Sequence, residues 1–96
     1  MSEPIHLVVT LQVKPGQMEK LQQATAELVQ ASVQEAGCVS YRSAYAEDGV
    51  TAYIVEHWQD QAALDAHNQT RHFIEGVKKL QDTCSTLQIH RVYWQN

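Results

Sequence analysis

Glu56, Trp58, His67, His72 and Phe73 fall in one stretch of this chain, and their types suit proton transfer beside an aromatic surface. Glu56 and Trp58 share a strand parity with Ala52 and Ile54, so a sheet face carrying those two apolar residues inward also carries the carboxyl group to the lip of the core. His67 follows Leu64 by three positions and Ala63 by four, which puts its imidazole on the inward side of a helix. Carboxylate and imidazole then converge from strand and helix. Such a pair can hold a proton, orient a hydroxyl group or act as a general base. His72 falls in the first turn of a following helix, where the dipole disfavours a cation. Each residue also has a plainer reading. Glu56 can be a solvated strand-end carboxylate, His67 a half-buried histidine satisfied by backbone, His72 a surface polar group and Trp58 core or pocket wall.

Metal chemistry is not expected. His67 and His72 are five apart, whereas one helix face presents ligands at three or four. His6 and His90 can be neighbours across the first and last strands, but no carboxylate or cysteine accompanies them. The chain holds no glycine-rich nucleotide loop, nucleophile elbow or Cys-x-x-Cys, so no cofactor is expected.

The elements that position these groups follow from periodicity. Ile5 to Val13 alternates as a first strand, and Lys14-Pro15-Gly16 ends it. From Gln17 to about Ala36, Met18, Leu21, Thr25, Leu28, Val29 and Ser32 recur at helical spacing, with Gly37 suited to the C-terminal cap. Val39 to Tyr45, with Val39, Tyr41, Ser43 and Tyr45 on one side, and Thr51 to Trp58 flank the turn signal Glu47-Asp48-Gly49. Asp60 can cap a short helix to about Asn68, and Thr70 another with Phe73, Val77 and Leu80 inward. Thr86 to Trp94 completes the set, with Leu87, Ile89 and Tyr93 on one side.

The expected fold is α+β, a ferredoxin-like β-α-β-β-α-β arrangement. Its antiparallel sheet has four strands ordered four-one-three-two, with the helices on one face. Val8, Tyr53, Val55, Val92 and Trp94 fall on the other face, which is too apolar to be left in water. A second copy is the simplest cover, so a homodimer is expected.

The 96 residues suit one domain, and no linker or repeat divides them. Seven Lys and Arg against eleven Asp and Glu, scattered, provide no basic face for nucleic acid. No stretch is long and apolar enough to span a bilayer and no leader is evident, so a cytoplasmic location is expected. Cys38 and Cys84 should sit near opposite sheet edges, too far apart to pair, as free thiols.

Several strings resemble the antibiotic biosynthesis monooxygenase family: Val13-Lys14-Pro15-Gly16, Ala36-Gly37-Cys38 before Tyr41, Glu56-His57-Trp58, Ala66-His67 and His72-Phe73. The resemblance runs from about Ile5 to Tyr93. It implies a dimeric α+β barrel. It also implies oxidation of a small quinol or polyphenol by molecular oxygen without a prosthetic group. Carried over by position, it makes His67 the base or hydrogen-bonding group, Glu56 its orienter and His72 a neighbour at the pocket mouth. Trp58, Phe73 and Tyr41 would contact substrate. A haem-degrading branch uses an asparagine and a histidine where this chain has Val9 and Val77, so haem is not expected. A relative that isomerises a phosphorylated signal molecule shares the Glu and paired His residues, and Arg71 would then bind the phosphate. A non-catalytic dimer that binds a small molecule is the third reading.

Overall fold

In the computed structural model, residues 3–95 are described. The elements are β1 (Ile5–Val13), α1 (Met18–Ser32), β2 (Cys38–Tyr45), β3 (Thr51–Trp58), α2 (Gln61–Asn68), α3 (Arg71–Thr83) and β4 (Cys84–Val92). All strand pairs are antiparallel. The sheet runs β2-β3-β1-β4, which is the expected order read from the other edge. No helix among the described residues is long and apolar enough to cross a membrane.

One sheet face builds the core. Val9 and Leu11 of β1, Ala52, Ile54 and Trp58 of β3 and Tyr41 of β2 meet Leu21, Ala24 and Leu28 of α1 and Leu80 of α3, all buried. Each large aliphatic side chain removed from water contributes roughly 1.5–3 kcal/mol, so this single layer is the main source of stability. Gly76 lets α3 close on α1, because a Cβ there would overlap the Leu28 side chain. The two expected helix caps form: Asp60 Oδ1 accepts from the Ala63 N–H at 2.9 Å, and Thr70 Oγ1 from the Phe73 N–H at 3.2 Å. Both cysteines are free.

Three local expectations change. The first helix ends at Ser32 rather than near Ala36. The next N–H groups turn back early, Gln34 to the Ala31 carbonyl and Glu35 to that of Ser32, which tightens and stops the helix. Gly37 is therefore not its cap. It lies where β2 begins and passes so close to α2 that a Cβ would overlap Ala63 Cβ. Val39 does not share a face with Tyr41, since the β2–β3 register shifts between Cys38 and Ser40 and leaves Val39 exposed. In β4 the strand starts earlier, at Cys84, and Tyr93 lies beyond its end, exposed.

Candidate functional site

The Glu56 side chain is buried on the helix-covered face of β3, directly across from Tyr41 on β2 and Leu7 on β1. One carboxyl oxygen accepts a 2.9 Å hydrogen bond from the Trp58 indole N–H two residues along the same strand. Burial pushes the Glu56 carboxyl up to about 7; the indole bond opposes that rise, and the nearby Glu35 charge adds to it. Tyr41, also buried, is held well above the usual phenol range by burial and then by the Glu56 charge.

Glu56 and Tyr41 are the polar wall of a cavity of about 90 Å³ between the sheet and α3. Val9, Ile54, Phe73, Val77, Leu87 and Ile89 line much of the rest. Ile89 is 58% exposed, so the cavity reaches the surface beside β4, which α3 covers incompletely. Larger hollows lie between α1 and α3, about 400 Å³, and beside Tyr93 and Trp94, about 500 Å³, but neither is lined by a buried titratable group.

The two histidines form a separate cluster. His67, at the end of α2, is 1% exposed, and its Nδ1 donates to Glu35 Oε2 at 2.6 Å. His72, in the first turn of α3, donates from Nε2 to the same oxygen at 2.8 Å. A carboxylate only accepts, so both ring nitrogens carry the proton in these bonds. The His67 ring lies among Trp58, Phe73 and Tyr41, with centroid separations of 4.4, 5.0 and 5.6 Å. Its Nε2 is buried without a hydrogen-bond partner. Burial lowers the His67 imidazole, and the Glu35 hydrogen bond partly offsets this.

The structure thus divides the expected site. Glu56, Tyr41 and Phe73 line the cavity; His67 and His72 do not. Trp58 is fully buried and acts on Glu56 from within the core. Arg71 lies apart, its side chain 89% exposed and paired with Glu75. Glu56 does not orient His67, because its hydrogen bond goes to Trp58 while Glu35 takes the imidazole. Glu35 is the residue that sequence reasoning missed. The usable sign was a carboxylate just before Ala36-Gly37-Cys38, the string that brings the chain against α2.

Similar proteins share this arrangement of chain. A family model described as antibiotic biosynthesis monooxygenase matches residues 4–79. An uncharacterized protein of Synechocystis sp. is 33% identical over 81 residues, 83% of this chain. The chain spans about half the length of that relative, 55% of it. A crystal structure from Pseudomonas aeruginosa is 32% identical, covers 100% of this chain and 98% of its own, and superposes with a TM-score of 0.90. One from Bacteroides thetaiotaomicron, described as a "possible oxidoreductase", is 29% identical over 96% of this chain and 100% of its own, with a TM-score of 0.87. With the family model covering most of its length, this chain belongs to the antibiotic biosynthesis monooxygenase family.

Proposed function

We propose that this protein is a monooxygenase that oxidises a small phenolic or quinol ring with molecular oxygen, with Glu56 as the proton acceptor. The observation that carries this reading is a carboxyl group raised to about 7 in the wall of an otherwise apolar cavity. A general base is most effective when its pKa lies near the working pH, and such a base contributes roughly 10²–10⁴-fold. Membership of the family and a relative described as a "possible oxidoreductase" support the same class of reaction.

A neutral phenol yields an electron to oxygen slowly, and its anion yields one far more readily. Glu56 removes the ring hydroxyl proton, Trp58 steadies the carboxyl oxygen that it already bonds, and the apolar walls keep water from quenching the anion. One oxygen atom enters the ring and the other leaves as water, the substrate supplying the electrons. His67, assigned the base role by resemblance, gives it up here because its ring lies outside the lining. Tyr41 can donate to a second ring oxygen, since its proton is held tightly.

The cavity is smaller than the roughly 150 Å³ site that accepts benzene in an engineered core. A single ring therefore enters only with a shift of Phe73 or α3, and fused rings are the poorer substrates. A phosphorylated substrate is less well served, because no Lys or Arg lines the cavity and Arg71 is engaged with Glu75 in solvent. The site works in a homodimer closed over the sheet face that carries Val8, Tyr53 and Val55, none of which belongs to the buried core.

The test is oxygen consumption with a panel of hydroquinones, catechols and naphthalenols, on wild type and Glu56→Gln. Consumption above the uncatalysed rate that falls at least about 100-fold in the variant supports the reading. No consumption by wild type on any ring, or equal consumption by the variant, removes it.

A further inference from the structure

Glu35 comes from the turn after α1, His67 from the end of α2 and His72 from the start of α3, so three separate elements present ligand-competent atoms to one spot. Glu35 Oε2, His67 Nδ1 and His72 Nε2 lie within 4.8 Å of one another. The five-residue spacing that argued against a metal does not apply, because the two histidines stand on different helices. We propose that Glu35, His67 and His72 bind one divalent transition-metal ion of the zinc class, with a fourth position open to water on the His72 side.

The ligand set suits that ion. Two imidazoles and one carboxylate form a three-ligand site that leaves a position for water. His67 is fixed by burial, while the His72 and Glu35 side chains, 28% and 16% exposed, leave an approach from solvent. Metal–ligand bonds of about 2.0–2.2 Å in a tetrahedral site set neighbouring ligand atoms roughly 3.3 Å apart. The present separations of 2.6 and 2.8 Å open to that span by a small movement of the two less buried side chains.

The unpartnered His67 Nε2 points the same way. It is buried, and its ring is walled by Trp58, Phe73 and Tyr41. Aromatic faces are negative, so they accommodate an N–H better than a lone pair. With Nδ1 donating to Glu35 at 2.6 Å, the buried Nε2 is left with a lone pair against those rings. A metal ion bound at Nδ1 takes the place of that proton, which the ring then carries at Nε2 against the aromatic faces, and both nitrogens are satisfied. None of the three ligands lines the cavity beside Glu56. The ion therefore ties the α1–β2 turn to α2 and α3, and the proposal stands independently of any oxygenase activity.

The test is titration of chelator-stripped protein with Co²⁺, followed by its visible spectrum and by competition with Zn²⁺, with thermal unfolding in parallel. We expect one ion per chain, an intense low-coordination spectrum, displacement by Zn²⁺ and a rise in Tm. Glu35→Gln and His72→Ala should each weaken binding by at least about tenfold. His72 is exposed enough for its alanine variant to fold, so it decides the matter if Glu35→Gln does not. His6 and His57 stack at 4.0 Å on the other sheet face, so His6→Ala is the control and should leave binding unchanged. No saturable binding, binding indifferent to both ligand variants, or binding lost in the His6 control overturns the proposal.

Discussion

Two carboxyl groups lie a short way apart on the helix-covered side of this sheet, and their surroundings give them opposite characters. Glu35 is 16% exposed and accepts from two imidazoles through one oxygen. Glu56 is 6% exposed, has an indole N–H as its hydrogen-bond donor and faces an apolar cavity. The first is well supplied with donors and ties three elements together. The second is poorly supplied, and its proton is correspondingly easy to keep and to give back near neutrality. Burial first and partners second, not residue type, thus separate an anchoring carboxylate from one poised for proton transfer.

The largest effect expected is on Glu56. In Glu56→Gln, activity falls at least about 100-fold while the amide oxygen still accepts from Trp58, so the fold persists. In wild type, activity rises with pH as Glu56 ionises through about 7. The stability consequence has the opposite sign. The folded state holds this proton more tightly than the unfolded chain, whose value is near 4.5, so wild-type stability declines as pH rises from that value to about 7. Between about pH 5 and about pH 8 that decline is roughly 2–3 kcal/mol, and it is absent from the Gln variant. Denaturant melts of both proteins at the two pH values give the difference directly. Parallel pH dependence would mean that Glu56 is not held up in the folded state.

Gly37→Ala tests the backbone that sets Glu35 apart. The new methyl group overlaps Ala63 Cβ, so α2 must move outward from β2 and carry His67 away from Glu35. Overpacking of this kind costs about 1–3 kcal/mol, which for a domain of this size lowers Tm by roughly 5–20 °C. The His67 ring resonances should shift with it, while the pH dependence assigned to Glu56 persists. An unchanged melt would show that the strand and helix have room to spare at this crossing.

The contrast between the two carboxylates was half legible in the sequence. Alternation in β1 and β3 placed Glu56 on the core face, and the offsets from Ala63 and Leu64 placed His67 inward, because strand and helix periods dictate side-chain direction locally. Asp60 and Thr70 marked true helix starts for the same reason. The partner of His67 was not legible from periodicity, and its one sign was the carboxylate's place just before Ala36-Gly37-Cys38. It lies 32 residues earlier in the chain, in a segment whose helical pattern runs on past the point where α1 stops. The helix stops there through the short backbone bonds of Gln34 and Glu35, and the chain then passes Gly37 against Ala63, a tertiary contact that helical periodicity does not announce. The bulge at Val39 escaped likewise, since a single unpaired residue reverses the parity on which strand reading depends.

A third carboxylate supplies the baseline for the other two. Glu75 accepts from Arg71 Nε at 3.0 Å across one turn of α3, with the two side chains 57% and 89% exposed. An exposed pair at this spacing contributes about 0.3–0.5 kcal/mol, because water screens the attraction and two long side chains must be ordered to make it. Arg71→Ala should therefore shift Tm by no more than about 4 °C and leave oxygen consumption on neutral rings unchanged. Activity toward a phosphorylated substrate that disappears in this variant would instead restore Arg71 as a ligand and move the site away from the Glu56 cavity. An indifferent Arg71 leaves burial as the variable that orders the three carboxylates: exposed and nearly inert, mostly buried and structural, fully buried and titrating near neutrality.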